Sequence, residues 1–299
     1  MNPSAHKIVR PLAAILAGFA VLALVAADTP KPKKIDMARL LELHNKERAA
    51  AKLPPLKFNA KLEAAAKAHA KDMADHDKMT HDGSDGSTPA ERVERQKYHF
   101  QTTGENVAQG QKSDEKVMEA WMDSPHHKDN ILKPEFTEMG AACYVTDDGM
   151  PFWVVDFGTP WPEIDPAKAV PALLDAINAA RAEEKRPALK THPRLESAAS
   201  HHAKAMADAG EFLKKDPDGQ APTERAQREG YPARAIAQND AIGQTDPQKA
   251  VASWLKTDTS RDVLLGKEYS DIGIGLAVDK KGIPYWSVLF GKPRSARGR

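Results

Sequence analysis

The sequence contains one cysteine, Cys143, in 299 residues. A single thiol cannot form an internal disulfide, so the stability of the fold must come from its hydrophobic core. Cys143 lies in the apolar run Ala141–Val145, which predicts a buried, unreactive thiol. No lipobox and no pair of closely spaced cysteines accompanies it, so the thiol chemistry of lipoproteins and zinc fingers is excluded.

Charge of one sign is not in excess either. The 43 basic side chains are balanced by 42 acidic ones. Removal of residues 1–27 would take away Lys7 and Arg10 and leave 41 basic against 42 acidic. Such a chain has no net field to attract nucleic acid or an anionic membrane, so we expect neither as a partner. The basic tail, residues 292–299, is interpreted as a solvated terminus.

The common hydrolase motifs are also missing. The chain has no His-Glu-x-x-His, no Gly-x-Ser-x-Gly and no paired Cys/His nucleophile signature. An enzyme of those classes is therefore disfavoured, and any chemistry must come from another arrangement of polar side chains.

The N-terminus has the pattern of an export signal. His6, Lys7 and Arg10 precede an apolar run, Pro11–Ala27, that ends in small residues suited to cleavage. We predict a signal peptide at residues 1–27, a Pro/Lys-rich tether at 28–36, and a secreted, periplasmic or envelope protein. The run is long enough that an uncleaved membrane anchor is the alternative, and only then would the membrane be a partner.

Beyond the tether, helical patterns precede two apolar β runs, Met139–Thr146 and Phe152–Phe157, joined by a turn that contains glycine. Capping residues mark helix starts at Asp36, Asn59, Thr88 and Ser113. The segment after Gly104 is expected to be extended or irregular. Because the β runs are apolar throughout, we expect helices on both faces of a small antiparallel sheet, which is an α+β domain built as a three-layer α-β-α sandwich.

The whole pattern then repeats at a constant offset of 133 positions, as from Trp121 to Trp254. Register kept over a full domain indicates an internal duplication. We predict two tandem domains, residues 37–158 and 169–291, joined by a Pro-rich linker at 159–168. The pairs that fix the offset are Asn45/Asn178, Arg48/Arg181, Pro54/Pro187, His69/His202, Arg92/Arg225, Gly140/Gly273 and Trp153/Trp286.

The candidate functional residues are the polar ones that the second copy has lost. Two imidazoles and two carboxylates brought into one cleft can hold a metal ion or exchange protons. His81, Glu105, Glu119 and His127 become Lys214, Gln238, Ala252 and Ser260. We interpret the four as functional and dispensable for the fold. His69 recurs as His202, so we expect a structural role for it.

Several segments resemble a known family. They are HNKERAAAKLPPLKFNAKLEAAAKAHAKDM, MTHDGSDGSTPAERV, GENVAQGQ, EAWMDSPHHKDNIL and FTEMGAACYV. Together they resemble the bacterial branch of the CAP superfamily, which comprises cysteine-rich secretory proteins, antigen five and pathogenesis-related-one proteins. Residues 37–158 carry the full pattern, and residues 169–291 carry a degenerate one.

The resemblance implies a secreted α-β-α sandwich with a cleft tetrad, which falls on His81, Glu105, Glu119 and His127. In several family members that tetrad binds zinc or another divalent ion. We therefore expect a non-enzymatic protein that binds a ligand or a divalent metal in its first domain, with an envelope component, lipid or small ligand as partner. The alternatives are a metal-assisted hydrolase and a lipid or sterol carrier.

Overall fold

A computed structural model describes residues 36–294 of the chain. The predicted signal peptide, most of the tether and the last five residues of the basic tail lie outside this range. Within it, no helix is long and apolar enough to cross a membrane.

The first domain contains five helices and four strands within the described residues. The helices are α1 (Met37–Ala50), α2 (Ala60–Asp75), α3 (Pro89–Arg95), α4 (Asp114–Asp123) and α5 (Pro125–Ile131), and the strands are β1 (Lys57–Phe58), β2 (Phe100–Gln109), β3 (Glu138–Val145) and β4 (Pro151–Pro160). The predicted caps are confirmed: Asp36, Asn59 and Ser113 accept hydrogen bonds from the first turns of their helices, and Thr88 forms a capping box with Glu91.

The second domain repeats these elements in the same order. Its helices are α6 (Pro166–Glu183), α7 (Pro193–Ala209), α8 (Pro222–Arg228), α9 (Pro247–Trp254) and α10 (Asp258–Leu264), and its strands are β5 (Lys190–Thr191), β6 (Ala233–Ile242), β7 (Asp271–Val278) and β8 (Pro284–Pro293). The two sheets have equivalent orders, β1-β3-β4-β2 and β5-β7-β8-β6.

Each sheet is antiparallel except for the short strand at one edge, where β1 pairs with β3 and β5 with β7 in parallel. The central strand β4 is buried on both faces from Pro151 to Gly158. One face packs on α2 through Phe152 and Val154, and the other packs on α1 and α4 through Trp153 and Val155. The α+β class and the α-β-α layering are thus confirmed. The segment after Gly104, expected to be extended or irregular, belongs to the ten-residue strand β2.

Several of the duplicated residues hold the scaffold together. Arg48 is fully buried and donates hydrogen bonds to the carbonyls of Pro54, Ile131, Lys133 and Phe136, and this ties α1 to the end of α5. Its copy, Arg181, bonds to the equivalent carbonyls of Pro187, Leu264 and Gly266. The indole of Trp121 donates to the Val107 carbonyl, and that of Trp254 donates to Asp240 in the same way. Such bonds satisfy buried carbonyls that the helices and strands leave free.

Cys143 is half-buried, and burial raises the pKa of its thiol to about 12. The thiolate is therefore scarce at neutral pH, in agreement with an unreactive cysteine.

His44 makes the first domain sensitive to acid. It is fully buried in α1, and burial lowers its pKa to about 4 from an ordinary 6.5. The unfolded chain binds a proton at His44 below pH 6.5 and the folded chain does not, so the free energy of unfolding should fall by ~1.4 kcal/mol per pH unit between pH 6.5 and 4. Urea unfolding of the first domain at several pH values measures this slope.

The second domain has Ile177 at the equivalent position, so His44→Ile is the matched variant. Its unfolding free energy should lose this part of the pH dependence. An identical slope in both proteins would rule out His44 as the cause.

Candidate functional site

Glu105 is the centre of the candidate site. It lies on β2 directly opposite Asp156 on β4, and its side chain is only 1% exposed. One carboxylate oxygen, Oε2, accepts a 2.6 Å hydrogen bond from Nη2 of Arg92, and the other, Oε1, lies 2.8 Å from Nδ1 of His81. A buried carboxylate held by two cationic or donor groups is strongly oriented, because neither oxygen can turn away without losing a charge-assisted bond.

The position of Arg92 beside this carboxylate is set by the start of the short helix α3. The Thr88–Glu91 capping box fixes the first turn of α3. From there the guanidinium of Arg92 also donates from Nη1 to the Ser87 carbonyl at 2.8 Å. Arg92 is 6% exposed, so its charge needs the counter-charge of Glu105 inside the domain.

His81 is the outer member of the group. It follows α2 in a turn-rich segment, and its side chain is 54% exposed. The hydrogen bond to Glu105 raises the pKa of His81, while partial burial opposes the shift. A ring whose Nδ1 faces a carboxylate keeps Nε2 for another partner. His81 therefore presents a polarised imidazole at the entrance of the site.

His127 is placed by a chain of amides. Asn106 on β2 donates to the backbone carbonyl of His127 at 3.0 Å, and Asn130 donates to Oδ1 of Asn106 at 2.9 Å and to the Glu105 carbonyl at 3.2 Å. Burial lowers the pKa of His127, and the charges of His81 and His126 lower it further. His127 is thus a neutral imidazole near a more basic one.

An apolar groove opens beside His127 at the end of β2. Its volume is about 420 Å³. The lining includes Met79, Val107, Gly110, Trp121, His127 and Met150. The groove combines an apolar wall with a few polar groups, as small-ligand sites do.

In the described part of the chain, Glu119 makes no hydrogen bond or ion pair with His81, Glu105 or His127. Its side chain is 60% exposed, and its carboxylate pairs with Lys116 on α4 at 2.6 Å. Between residues 36 and 294, no three His, Cys, Asp or Glu side chains are arranged to hold a metal ion. The donor types suit zinc, but both oxygens of Glu105 are engaged and Glu119 is turned to Lys116. In this arrangement the four residues do not fit a bound metal.

Three residues of the site had not been predicted. Arg92 and His69 recur in the second copy, and recurrence alone points to a structural role such as the one expected for His69, whereas Asp156 lies within an apolar strand. His69 is fully buried, bonds from Nε2 to the Thr80 carbonyl at 2.8 Å and lies 3.9 Å from Glu105 Oε2. The signal that could have revealed Asp156 is an acid at position 156 where the second copy has Leu289.

The second domain compensates for the loss of Glu105. Its buried Arg225 contacts Gln238 in place of Glu105 and lies 3.4 Å from Asp216, which in turn bonds to His202 at 2.5 Å. Gln238 donates to Asp240 at 2.5 Å. Asp216 and Asp240 replace Gly83 and Val107 of the first domain. Glu105 therefore also neutralises a buried arginine, a structural role that the comparison of the two copies did not reveal.

Asp156 carries a buried carboxyl without a hydrogen bond from the described part of the chain. Burial raises its pKa, and the charge of Glu105 raises it further, while Arg92 opposes the shift. Replacement by the second domain's residue, Asp156→Leu, removes an unsatisfied group and should raise the unfolding free energy by about 1–2 kcal/mol. Asp156→Asn keeps a polar group there and should bring no gain. A lower melting temperature for the leucine variant would show that the carboxyl stabilises the site.

Two α-β-α domains in tandem, one with an imidazole–carboxylate cleft, define a duplicated two-domain protein. The chain belongs to the cysteine-rich secretory protein family, CAP, whose model matches residues 41–157 and 174–290. Both halves are thereby assigned to one family, as the duplication indicated.

Three relatives each match less than half of the chain. The Bacillus subtilis (strain 168) protein YkwD is 37% identical over 103 residues, which are 34% of this chain and 40% of YkwD. An outer surface protein of Borrelia burgdorferi has a solved structure that is 29% identical and covers 42% of this chain and 96% of its own, with a TM-score of 0.40. The structure of NaASP2 with Zn²⁺ is 16% identical and covers 44% of this chain and 82% of its own, with a TM-score of 0.32. The chain thus spans less than half of YkwD.

Proposed function

We propose that this chain is an exported, non-enzymatic binding protein of the cell envelope or extracellular space, and that the cleft of its first domain is the binding site. One observation carries the proposal. Glu105 is buried and holds His81 at the entrance, next to a neutral His127 and an apolar groove of about 420 Å³. The second domain has none of these imidazoles, so the binding function belongs to the first domain.

The family description and the outer-surface relative support export. The near-balance of charges supports a neutral or mixed partner rather than nucleic acid. The ligand class we favour is an organic group with an apolar part for the groove and an acceptor or donor for the imidazoles. An envelope component fits this description.

Indole serves as a probe of the site while the natural ligand is unknown. It is added to the whole chain, and the imidazole signals of the chain's histidines are followed by NMR. We expect saturable shifts at His127 and His81 and none at His202. Equal shifts at His202, or none at His127, would refute a first-domain site.

Metal binding is tested separately by zinc chloride calorimetry on wild type, His127→Ala and the matched second-domain variant Ser260→Ala. Because Glu105 and Glu119 are engaged elsewhere, we expect equal heats in all three proteins. A large heat in wild type and in Ser260→Ala that disappears in His127→Ala would instead establish a metal site and contradict this arrangement.

A further inference from the structure

Trp161, in the linker between the domains, packs against two glycines of the second domain. A Cβ atom added to Gly243 would lie 3.2 Å from Cη2 of the Trp161 ring, and one added to Gly282 would lie 3.1 Å from its Cβ. Gly243 directly follows β6, and Gly282 lies in the turn between β7 and β8. The two glycines, with Ile283 directly after Gly282, form what we call the glycine seat.

The duplication places the same seat on the first domain. At the offset of 133, Gly243 corresponds to Gly110 and Gly282 to Gly149. All four glycines have positive φ, between 77° and 96°. A turn with positive φ favours glycine whatever packs on it, so the residue type alone does not indicate an occupant. The space above the seat is therefore the deciding observation.

That space is open in the first domain. Apart from each glycine's own chain neighbours, no heavy atom of the described residues lies within 4 Å of a Cβ built on Gly149, and at Gly110 only the sulfur of Met150 does, at 4.0 Å. The exposed ammonium of Lys112 donates to the Gly149 carbonyl at 2.6 Å. Gly110 and Met150 also line the groove of about 420 Å³ that reaches His127. This volume is in the range of ~300–1,000 Å³ of small-ligand pockets. The second domain covers its seat with an indole, and the first domain leaves the seat continuous with a groove.

We propose that the glycine seat and groove of the first domain bind an aromatic side chain of a partner polypeptide, carried in an extended, proline-flanked segment. The model for this segment is the chain's own Thr159-Pro160-Trp161-Pro162. Proline on either side keeps such a segment extended before it binds, which lowers the entropy lost on binding. The inference rests on the proposed function, since it names the partner class of the same cleft.

The chain's own tether does not supply this residue. At the offset of 133 the position of Trp161 falls on Asp28, and the tether's own proline-flanked motif, Thr29-Pro30-Lys31-Pro32, carries a lysine in place of the tryptophan. An ammonium group is strongly hydrated and gains little from an apolar groove. An aromatic ring gains contact area and loses few rotamers. The occupant is therefore sought on another polypeptide.

The test uses a blocked peptide with the linker sequence Thr159–Asp165 and a second peptide with Trp161→Ala. Binding to the whole chain is followed by backbone amide NMR. We expect saturable shifts at Gly110, Gln111 and Met150 with a Kd of about 1 mM, because one buried side chain must offset the freedom lost on association. The alanine peptide should cause no such shifts.

Two chain variants locate the contact. Ala120→Phe fills the groove and should weaken the peptide at least tenfold, with an unchanged melting temperature as the check on folding. Ser253→Phe places a phenylalanine at the equivalent position of the second domain and should leave the affinity as in wild type. When the peptide is added to the full chain with Trp161→Ala, the amide signals of Gly243 and Gly282 should shift as well. This result would verify that the peptide can bind to such a seat.

The inference is overturned if the Trp161→Ala chain binds the peptide at Gly243 while Gly110 stays unmoved at millimolar peptide, or if both peptides bind equally. If the peptide does not bind at Gly110 but indole still shifts the His127 signals, the inference about the seat fails and the proposed function stands. Peptide shifts at Gly110 that persist in His81→Ala and His127→Ala would support the seat and refute the imidazoles as its partners.

Discussion

Gly140→Ala should unfold the first domain at urea concentrations that leave the second domain native. Gly140 lies on β3 against α2, and a Cβ added there would be 2.0 Å from the backbone nitrogen of Glu63. The obstacle is helix backbone and not a flexible side chain, so α2 must move off the sheet. We expect a loss of at least ~3 kcal/mol, which is at or above the usual ~1–3 kcal/mol cost of an overpacked core, because helix backbone yields less easily than a side chain.

The control for this variant is Gly149→Ala. Gly149 has φ of +87° and open space around it, so alanine meets backbone strain but no clash. The expected cost there is ~1 kcal/mol. Gly273→Ala, whose Cβ would be 2.1 Å from the backbone of Leu195, should move the loss to the second domain. Hydrogen exchange measured for each domain distinguishes the three results. If the first domain is as stable in Gly140→Ala as in Gly149→Ala, α2 does not pack tightly against the sheet at Gly140.

Glu105→Gln should destabilise the first domain by about 3 kcal/mol, because it removes the counter-charge of a buried guanidinium. Asp156 does not replace it, since its carboxyl makes no hydrogen bond to Arg92. The amide of glutamine can still accept one bond, as Gln238 does from Arg225 in the second domain. Denaturant unfolding of the first domain measures the loss.

The second domain indicates how the loss is recovered. There Asp240, at the position of Val107, accepts from Gln238 and lies 3.6 Å from His202. Val107→Asp alone buries another acid beside Glu105 and should be strongly destabilising. In the Glu105→Gln background the same change supplies a counter-charge. The double variant should therefore lose at least ~1 kcal/mol less unfolding free energy than the two single variants lose together. Strict additivity would show that Arg92 does not depend on Glu105.

The sequence predicts the layers of the fold well because each depends on local signals. Capping residues start the helices, and the apolar run around Trp153 indicates a strand covered on both faces. The duplication predicts the second domain from the first. Strand β2 was harder, since its exposed start and its buried end after Gly104 give no regular alternation.

The candidate site is predicted only in part, because the burial of a charge depends on distant segments. Glu105 and His81 meet across 24 positions of sequence. The side-chain direction of Glu119 depends on which neighbour is nearer, and Lys116 lies one turn away on the same helix. Arg92 recurs as Arg225, and recurrence alone does not reveal that each arginine is the buried cation beside which the acids of its domain lie.

The pairing of His81 with Glu105 is the central claim, and a histidine-resolved NMR titration of the whole chain tests it most directly. The hydrogen bond to Glu105 should make His81 titrate above its ordinary pKa, and burial should make His127 titrate below it. In Glu105→Gln the pKa of His81 should fall back while that of His127 stays low. A His81 pKa that is ordinary in wild type and unchanged in Glu105→Gln would contradict the account.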